Sequence, residues 1–378
     1  MLDSKQASLS PSPKRQLRSI ISLARDEQTM ARLNLDVYDC IMSFLEPDEL
    51  TTMMRTCRAL HSVGIKYLVN HPYPFNDSDV LKSYCRFVFG DAPRRGAALR
   101  AISLNLLHIH YPSLPDASQT IRVILELLSQ APNIQRTQIA IPSPVLDLYP
   151  QLLRAPSLTR SLKSLGIINC SMVHAELIRE LQSPLEEVYL RFRPGSQEHP
   201  RTVIWLLGKF CSTLQNIDIE GFPFGDEDST LFPHVRILAV SVSDASHSIG
   251  VLYRLFPGVT DVEFIPFGLP TPSQLLDQYR SRNTRCSLTG RWLHLQRLSG
   301  SIEDIYTMAL TCRIDHLSIS ADFQDAQKLC TVTTDARPHR LTVELNARLD
   351  SLVFNLPSQT SLNLRLRSTR TPMTGQPA

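Results

Sequence analysis

Two histidines two residues apart, His108 and His110, form the first pairing in this sequence that suggests chemistry. On a strand-like segment this spacing turns both imidazoles to one side, where they would share a divalent metal if a third ligand joined them. No third ligand stands near them in sequence, so surface or packed histidines are the preferred reading. Asp226-Glu227-Asp228, in a loop flanked by glycines, carries the charge for calcium without the ligand alternation of a calcium loop, and reads as a solvated turn. Of the 8 cysteines, Cys40, Cys57, Cys85, Cys170, Cys211, Cys286, Cys312 and Cys330, no two form Cys-x-x-Cys and none stands beside an activating base. They are scattered through apolar segments, as buried reduced thiols are. No Gly-x-Ser-x-Gly elbow, phosphate-binding Gly-x-x-x-x-Gly-Lys loop or His-Glu-x-x-His helix is present. The expectation is a chain with no catalytic residue, no metal and no cofactor. Recognition is the chemistry that remains.

The elements that would position a recognition surface follow from composition and periodicity. With 378 residues, 43% hydrophobic and 20% charged, the chain can bury a large core and is expected to form two folded regions. A net charge of +3 is too mild to imply nucleic acid, for which a concentrated basic face is needed. No run approaches the roughly eighteen apolar residues of a membrane span, and no secretory h-region is visible. The expectation is an intracellular protein, neither secreted nor membrane-spanning. Residues 1–30 are Ser-rich and read as a flexible lead-in. Leu17, Ile20, Ile21 and Ala24 among basic residues have the look of a transit peptide, an alternative disfavoured by Asp26-Glu27 directly after them. Residues 71–97 read as a helical linker, with a loop at Arg94-Arg95 between Gly90 and Gly96.

From about residue 98 to 366 one pattern returns, apolar-x-x-apolar-x-apolar, the alternation of a half-buried strand. It occurs at Leu99-Ile102-Leu104, Ile134-Thr137-Ile139, Leu162-Leu165-Ile167, Leu185-Val188-Leu190, Leu214-Ile217-Ile219, Val235-Leu238-Val240, Val259-Val262-Phe264 and Ile314-Leu317-Ile319. From Ile134 to Val259 the first positions lie 28, 23, 29, 21 and 24 residues apart. Leucine-rich repeats run at about 20–29 residues. Helical patterns fill the intervals at 121–129, 173–181, 202–210, 247–256 and 302–311, several closed by proline before the next strand. Strand, turn, helix and stop, repeated with one polarity, predict parallel strands side by side with helices outside. Only Asn169-Cys170 approaches the signature residues of such repeats. The competing fold, a doubly wound α/β domain, would need a Gly-rich turn that the sequence lacks. Leu341-Val343-Leu345, Leu352-Phe354 and Leu362-Leu364-Leu366 alternate without helices between, and are expected as antiparallel or irregular strands capping the last repeat. Residues 367–378 read as a disordered tail. Between the apolar positions of the strands, Tyr189, Arg191, Asp218, Glu220, Glu263 and Ser318 point to the concave face and are the candidates for holding a target protein.

The stretch 33–61 reads LNLDVYDCIMSFLEPDELTTMMRTCRALH. Val37, Ile41 and Leu45 recur every four residues on one helix, and Leu50, Met53, Met54, Cys57 and Leu60 continue the stripe on a second. Pro47 suits the first turn of that second helix, and Asp48 and Glu49 suit its positive end. The order of Leu33, Asp36-Val37, Ile41, Phe44-Leu45, Pro47-Asp48, Leu50, Thr56-Cys57-Arg58 and His61 resembles the F-box, the short helical module that docks on the Skp adaptor of cullin-based ubiquitin ligases. Asn34 replaces the family's usual proline and is expected to cap the first helix instead. The resemblance implies an adaptor surface at Leu33, Val37, Ile41, Leu45, Pro47, Leu50, Met54 and Cys57, and through the adaptor a cullin. It also implies the cytoplasm, the nucleus or both as the location.

The expected fold class is α/β: a three-helix F-box over 31–70, then a curved leucine-rich-repeat-like solenoid with a parallel sheet on its concave face. The resemblance implies a substrate-receptor subunit of a Skp-cullin-F-box ligase. The alternative is a leucine-rich-repeat interaction scaffold that takes no part in ubiquitin transfer.

Overall fold

The computed structural model describes residues 34–70, 74–75, 77–107, 114–141, 143–155, 158, 160–193, 201–225, 230–241, 249–265, 273–286, 292–321, 325–345 and 360–366. The chain divides into two compact units, Met1–His71 and Pro72–Ala378.

Among the described residues the first unit holds three helices, Leu35–Met42, Pro47–Met54 and Arg58–Asn70. Asn34 lies extended ahead of the first helix, and its side chain accepts from the Asp36 amide. This meets one of the free donors of the opening turn. Pro47 takes the first position of the second helix, where its missing N–H costs nothing, and Glu46 and Glu49 close a reciprocal capping box ahead of it. Met42, Leu50, Met54, Leu60, Ile65 and Val69 are buried together. Gly64 allows the closest approach: a Cβ there would stand 2.4 Å from Met54 Cγ. Lys66 reaches back to Asp39 at 2.7 Å, joining the third helix to the first, and this hydrogen bond holds the Asp39 carboxyl below its ordinary range.

The second unit is built on twelve strands among the described residues. They are β1 Pro74–Phe75, β2 Ala101–Asn105, β3 Arg136–Ala140, β4 Ser164–Cys170, β5 Glu187–Phe192, β6 Asn216–Glu220, β7 Ile237–Ser241, β8 Asp261–Ile265, β9 His294–Ser301, β10 Arg313–Ala321, β11 Arg340–Leu345 and β12 Ser361–Leu366. They form one sheet in chain order. All pairings are parallel. From β3 to β8 the register steps are Arg136 to Ser164, Glu187, Asn216, Ile237 and Asp261, offsets of 28, 23, 29, 21 and 24 residues. These equal the spacings of the sequence motif, so each motif is one turn of a repeating α/β unit, consistent with a curved solenoid. The turns are tied by hydroxyls: Ser161 donates to the Ile134 carbonyl, Ser183 to Leu158 and Thr213 to Leu185.

Four features depart from the expectation. β9 falls in the long gap between Val259 and Ile314, where Leu295-Leu298-Gly300 breaks the motif at its third position. Glycine is required there, because a Cβ on Gly300 would lie 2.9 Å from Phe264 Cβ on the neighbouring strand. β11 and β12 are parallel, not antiparallel; their register offset from Arg340 to Ser361 leaves a connection long enough for a crossover. Leu352-Phe354 lies outside the described residues. Arg94-Arg95 is helical, within Ala92–Ala98, because Arg95 donates to the Phe87 carbonyl and stacks 4.2 Å over the Phe87 ring. The helices Ser273–Cys286 and Ala326–Ala336 were not expected, since both are largely polar.

Asn283 explains how the first of these helices is held. Its buried side chain accepts from the Ile249 amide at 3.1 Å and donates to the Thr307 carbonyl at 2.9 Å, joining three successive helices. Nearby, Arg280 donates to the Tyr306 carbonyl, pairs with Asp335 and lies over the Tyr306 ring.

Candidate interaction surfaces

In the first unit the residues expected to meet an adaptor divide between core and surface. Leu50 and Met54 are buried and serve the unit's own packing. Ile41, Leu45 and Pro47 are half-buried, Val37 is 42% exposed and Cys57 is exposed. Leu33 lies outside the described residues. Two side chains outside that set are more exposed than Val37: Leu35 at 51% and Phe44 at 82%. Phe44 closes the turn after the first helix, one residue beyond its C-cap. Periodicity passed over it because it stands beside the Leu45 stripe and not on it. Val37 and Phe44, seven residues apart on one side of the first helix and the turn after it, are uncovered apolar side chains, while Leu35 points to another side.

In the second unit, alternate residues of each strand face away from the buried side, and the register aligns them in rows across the sheet. One row runs Ser103, Gln138, Gly166, Tyr189, Asp218, Ala239, Glu263 and Ser299, and continues through Ser318 and Thr342. Four of the six residues expected to hold a target, Tyr189, Asp218, Glu263 and Ser318, therefore share a row. Arg191 and Glu220 are paired in the adjacent row. Arg191 Nε lies 3.2 Å from Glu220 Oε2 as an ion pair, and its guanidinium sits 4.9 Å over the Tyr189 ring.

The electrostatics of this face are uneven. Burial pushes the Asp218 carboxyl up to about 6, with Arg191 opposing the rise and Glu263 and Glu220 adding to it. Asp218 Oδ1 is buried with no hydrogen-bond partner among the described residues. On β10, burial together with Arg340, Arg297 and Arg365 lowers the basicity of His316, whose Nε2 lies 3.1 Å from Thr342 Oγ1.

Sequence reading did not anticipate a Ser–His–Asp grouping at the start of the helix Met172–Glu180. His174 Nδ1 accepts from the Ser171 amide at 3.0 Å and lies 2.8 Å from the Ser171 hydroxyl, which also lies 3.1 Å from Asp147. Asp147 in turn pairs with Arg193 at 2.7 Å. With Nδ1 held by a backbone amide, the imidazole acts as a helix cap. Asn169, the nearest approach to a repeat signature, adopts a left-handed backbone with φ 67° and lies 3.5 Å from the Ile141 carbonyl of the preceding turn. Burial raises the Cys170 thiol far above its ordinary value and pushes Cys85 up to about 12. His108, His110 and Asp226-Glu227-Asp228 lie outside the described residues. Among the described residues no group of three or more His, Cys, Asp or Glu side chains is placed to hold a metal ion, and no helix is long and apolar enough to cross a membrane.

No family model matches the chain, and no curated protein matches it. Among solved structures the fold is similar to a chain of the crystal structure of the Rad7 and Elc1 complex in yeast. That alignment has 12% identity and a TM-score of 0.45, covering 94% of this chain and 98% of the other.

Proposed function

We propose that this chain is a substrate-receptor subunit of a Skp-cullin-F-box ubiquitin ligase. The three-helix unit docks a Skp-type adaptor, and the open face of the sheet holds a target protein. The chain makes and breaks no bond; it supplies proximity, raising the effective concentration of target lysines near a ubiquitin-charged enzyme. It acts in the cytoplasm or nucleus. The observation that carries the reading is the exposure of the apolar side chains Val37 and Phe44 on one side of the first helix, beside a hairpin whose own core is already closed by Met42, Leu50 and Met54. Apolar side chains left out of a complete core are what an adaptor would cover.

Co-purification of the full chain with a Skp-type adaptor tests this, with Val37→Glu and Phe44→Glu in parallel. Both positions are exposed, so the variants should keep native circular dichroism. Capture of the native chain and loss of both folded variants is the expected result. Folded native chain that fails to bind adaptor would overturn the ligase reading and leave an interaction scaffold.

A further inference from the structure

The side chains on the solvent side of the sheet fall into two electrically opposite halves. On β5–β8 they include Glu187, Asp218, Glu220, Asp261 and Glu263, against a single arginine, Arg191, already engaged by Glu220. On β9–β12 the sign reverses: Arg297, Arg340 and Arg365 occupy the matching rows around His316, with Glu344 as their carboxylate. Asp315, which pairs with His294 and Arg313, lies off these rows toward the strand starts. Resting the inference on the reading of this face as the target surface, we propose that its occupant is an extended segment of the target laid across the strands. Its basic residues meet β5–β8 and its acidic residues meet β9–β12.

The acidic half has a place for a long cationic side chain. β7 contributes no charge; it offers Ala239 in the row of Asp218 and Glu263, and Ile237, 47% exposed, beside it. The carboxylates of Asp218 and Glu263 stand two strands apart, about 10 Å at the usual strand spacing, with the small Ala239 between them. Side chains do meet across such a gap on this sheet: Arg136 and Glu187, separated by the strand carrying Ser164, come within 3.9 Å. A lysine or arginine would rest its methylene stem on Ile237 and bring its head to Asp218 and Glu263. Oδ1 of Asp218, buried without a partner, gains one there. In the basic half, an acidic group would relieve the mutual repulsion of Arg297, Arg340 and Arg365 around His316.

Spacing fixes the form of the segment. From β6 to β10 there are four strand steps, about 19 Å, which an extended chain crosses in about six residues. A nucleic acid is disfavoured by the five carboxylates, which repel phosphate.

The test is selection of a displayed random library of peptides of about 16 residues on the full-length chain. Two double variants serve for comparison, Asp218→Asn with Glu263→Gln, and Arg297→Glu with Arg340→Glu. All four positions lie on the solvent side of the sheet, and circular dichroism checks that both variants fold. Enriched peptides are expected to carry a lysine or arginine cluster and an aspartate or glutamate cluster about six residues apart. Each double variant is expected to weaken the best peptide at least tenfold. No enrichment, enrichment without the two-part pattern, or equal binding by the variants would overturn the proposal. So would concentration-dependent self-association abolished by either variant, which would make a second copy the occupant. Adaptor capture is measured on the same preparations. Adaptor binding without the peptide pattern refutes this inference alone, whereas the peptide pattern without adaptor binding refutes the ligase reading alone.

Discussion

Replacing Asp218 by asparagine should stabilise this protein at neutral pH while weakening its grip on a target. Burial raises the Asp218 carboxyl from 3.8 to about 6 in the folded chain. A shift of that size corresponds to roughly 3 kcal/mol at about 1.36 kcal/mol per unit. Because the side chain is half-buried and keeps part of its solvation, about 1–2 kcal/mol should reach the measured stability. The sign follows from proton binding. Between about pH 4 and pH 6 the folded chain keeps a proton that the unfolded chain has released, so this group's contribution falls as pH rises through that window. Above about pH 6 the full penalty of an ionised, partly buried carboxylate stands. The groups that set this are Arg191 on β5, Glu220 on β6 itself and Glu263 on β8; β7 contributes none. Asparagine keeps the shape and removes the charge.

Thermal unfolding of the native chain and Asp218→Asn, followed at about pH 7.5 and about pH 4.5, isolates the effect, because only its pH-dependent part belongs to the carboxyl. The variant should unfold a few degrees higher at the upper pH, with the gain shrinking toward the lower. A difference independent of pH, or a variant less stable at neutral pH, would refute the reasoning. Residues whose removal stabilises a fold while harming binding are retained for function. Affinity for a peptide selected on the native chain should therefore fall as stability rises.

Three other substitutions probe the scaffold. Asn283→Ala should cost about 2–4 kcal/mol, because it strips partners from the buried Ile249 amide and Thr307 carbonyl; hydrogen exchange should quicken in all three helices that Asn283 joins. Gly300→Val should destabilise β8 and β9, since a Cβ would press on Phe264 of the neighbouring strand, and urea unfolding should show a lower midpoint. Leu50→Ala, at a fully buried position, should cost about 2–5 kcal/mol, enough to unfold so small a helical unit. Limited proteolysis should then cut within 34–70 and leave the sheet unit intact.

The repeating architecture was legible because burial enforces it: wherever a strand's inward side chains meet two neighbours, the apolar-x-x-apolar-x-apolar pattern must be kept. It failed where packing asked for something smaller or more polar. Gly300 sits where a side chain would collide with Phe264, so β9 loses the motif's third residue. The helix Ser273–Cys286 is held through Asn283 and Arg280, and such polar staples leave no periodic trace in sequence. In the first unit, periodicity placed Leu50 and Met54 on the same stripe as Val37, since three helices that pack on one another share an apolar stripe. Only the fold separates the buried part from the exposed part.

The open face shows a further limit and its cause. Each of Tyr189, Asp218, Glu263 and Ser318 is an ordinary polar residue in an alternating strand, and alternation says no more than that it faces solvent. Their relation lies in the register, which joins positions 19 to 36 residues apart into rows and so turns one-dimensional charges into a surface. From β5 onward, in the row that begins at Glu187, the sign changes once, between Asp261 on β8 and Arg297 on β9, which lie 3.9 Å apart. A single change places the boundary at one pair, so Arg297→Glu should extend the acidic half by one strand. In the peptides that the variant selects, the acidic cluster should move about one or two residues further from the basic one, since a strand step is about 4.8 Å and an extended residue about 3.3 Å.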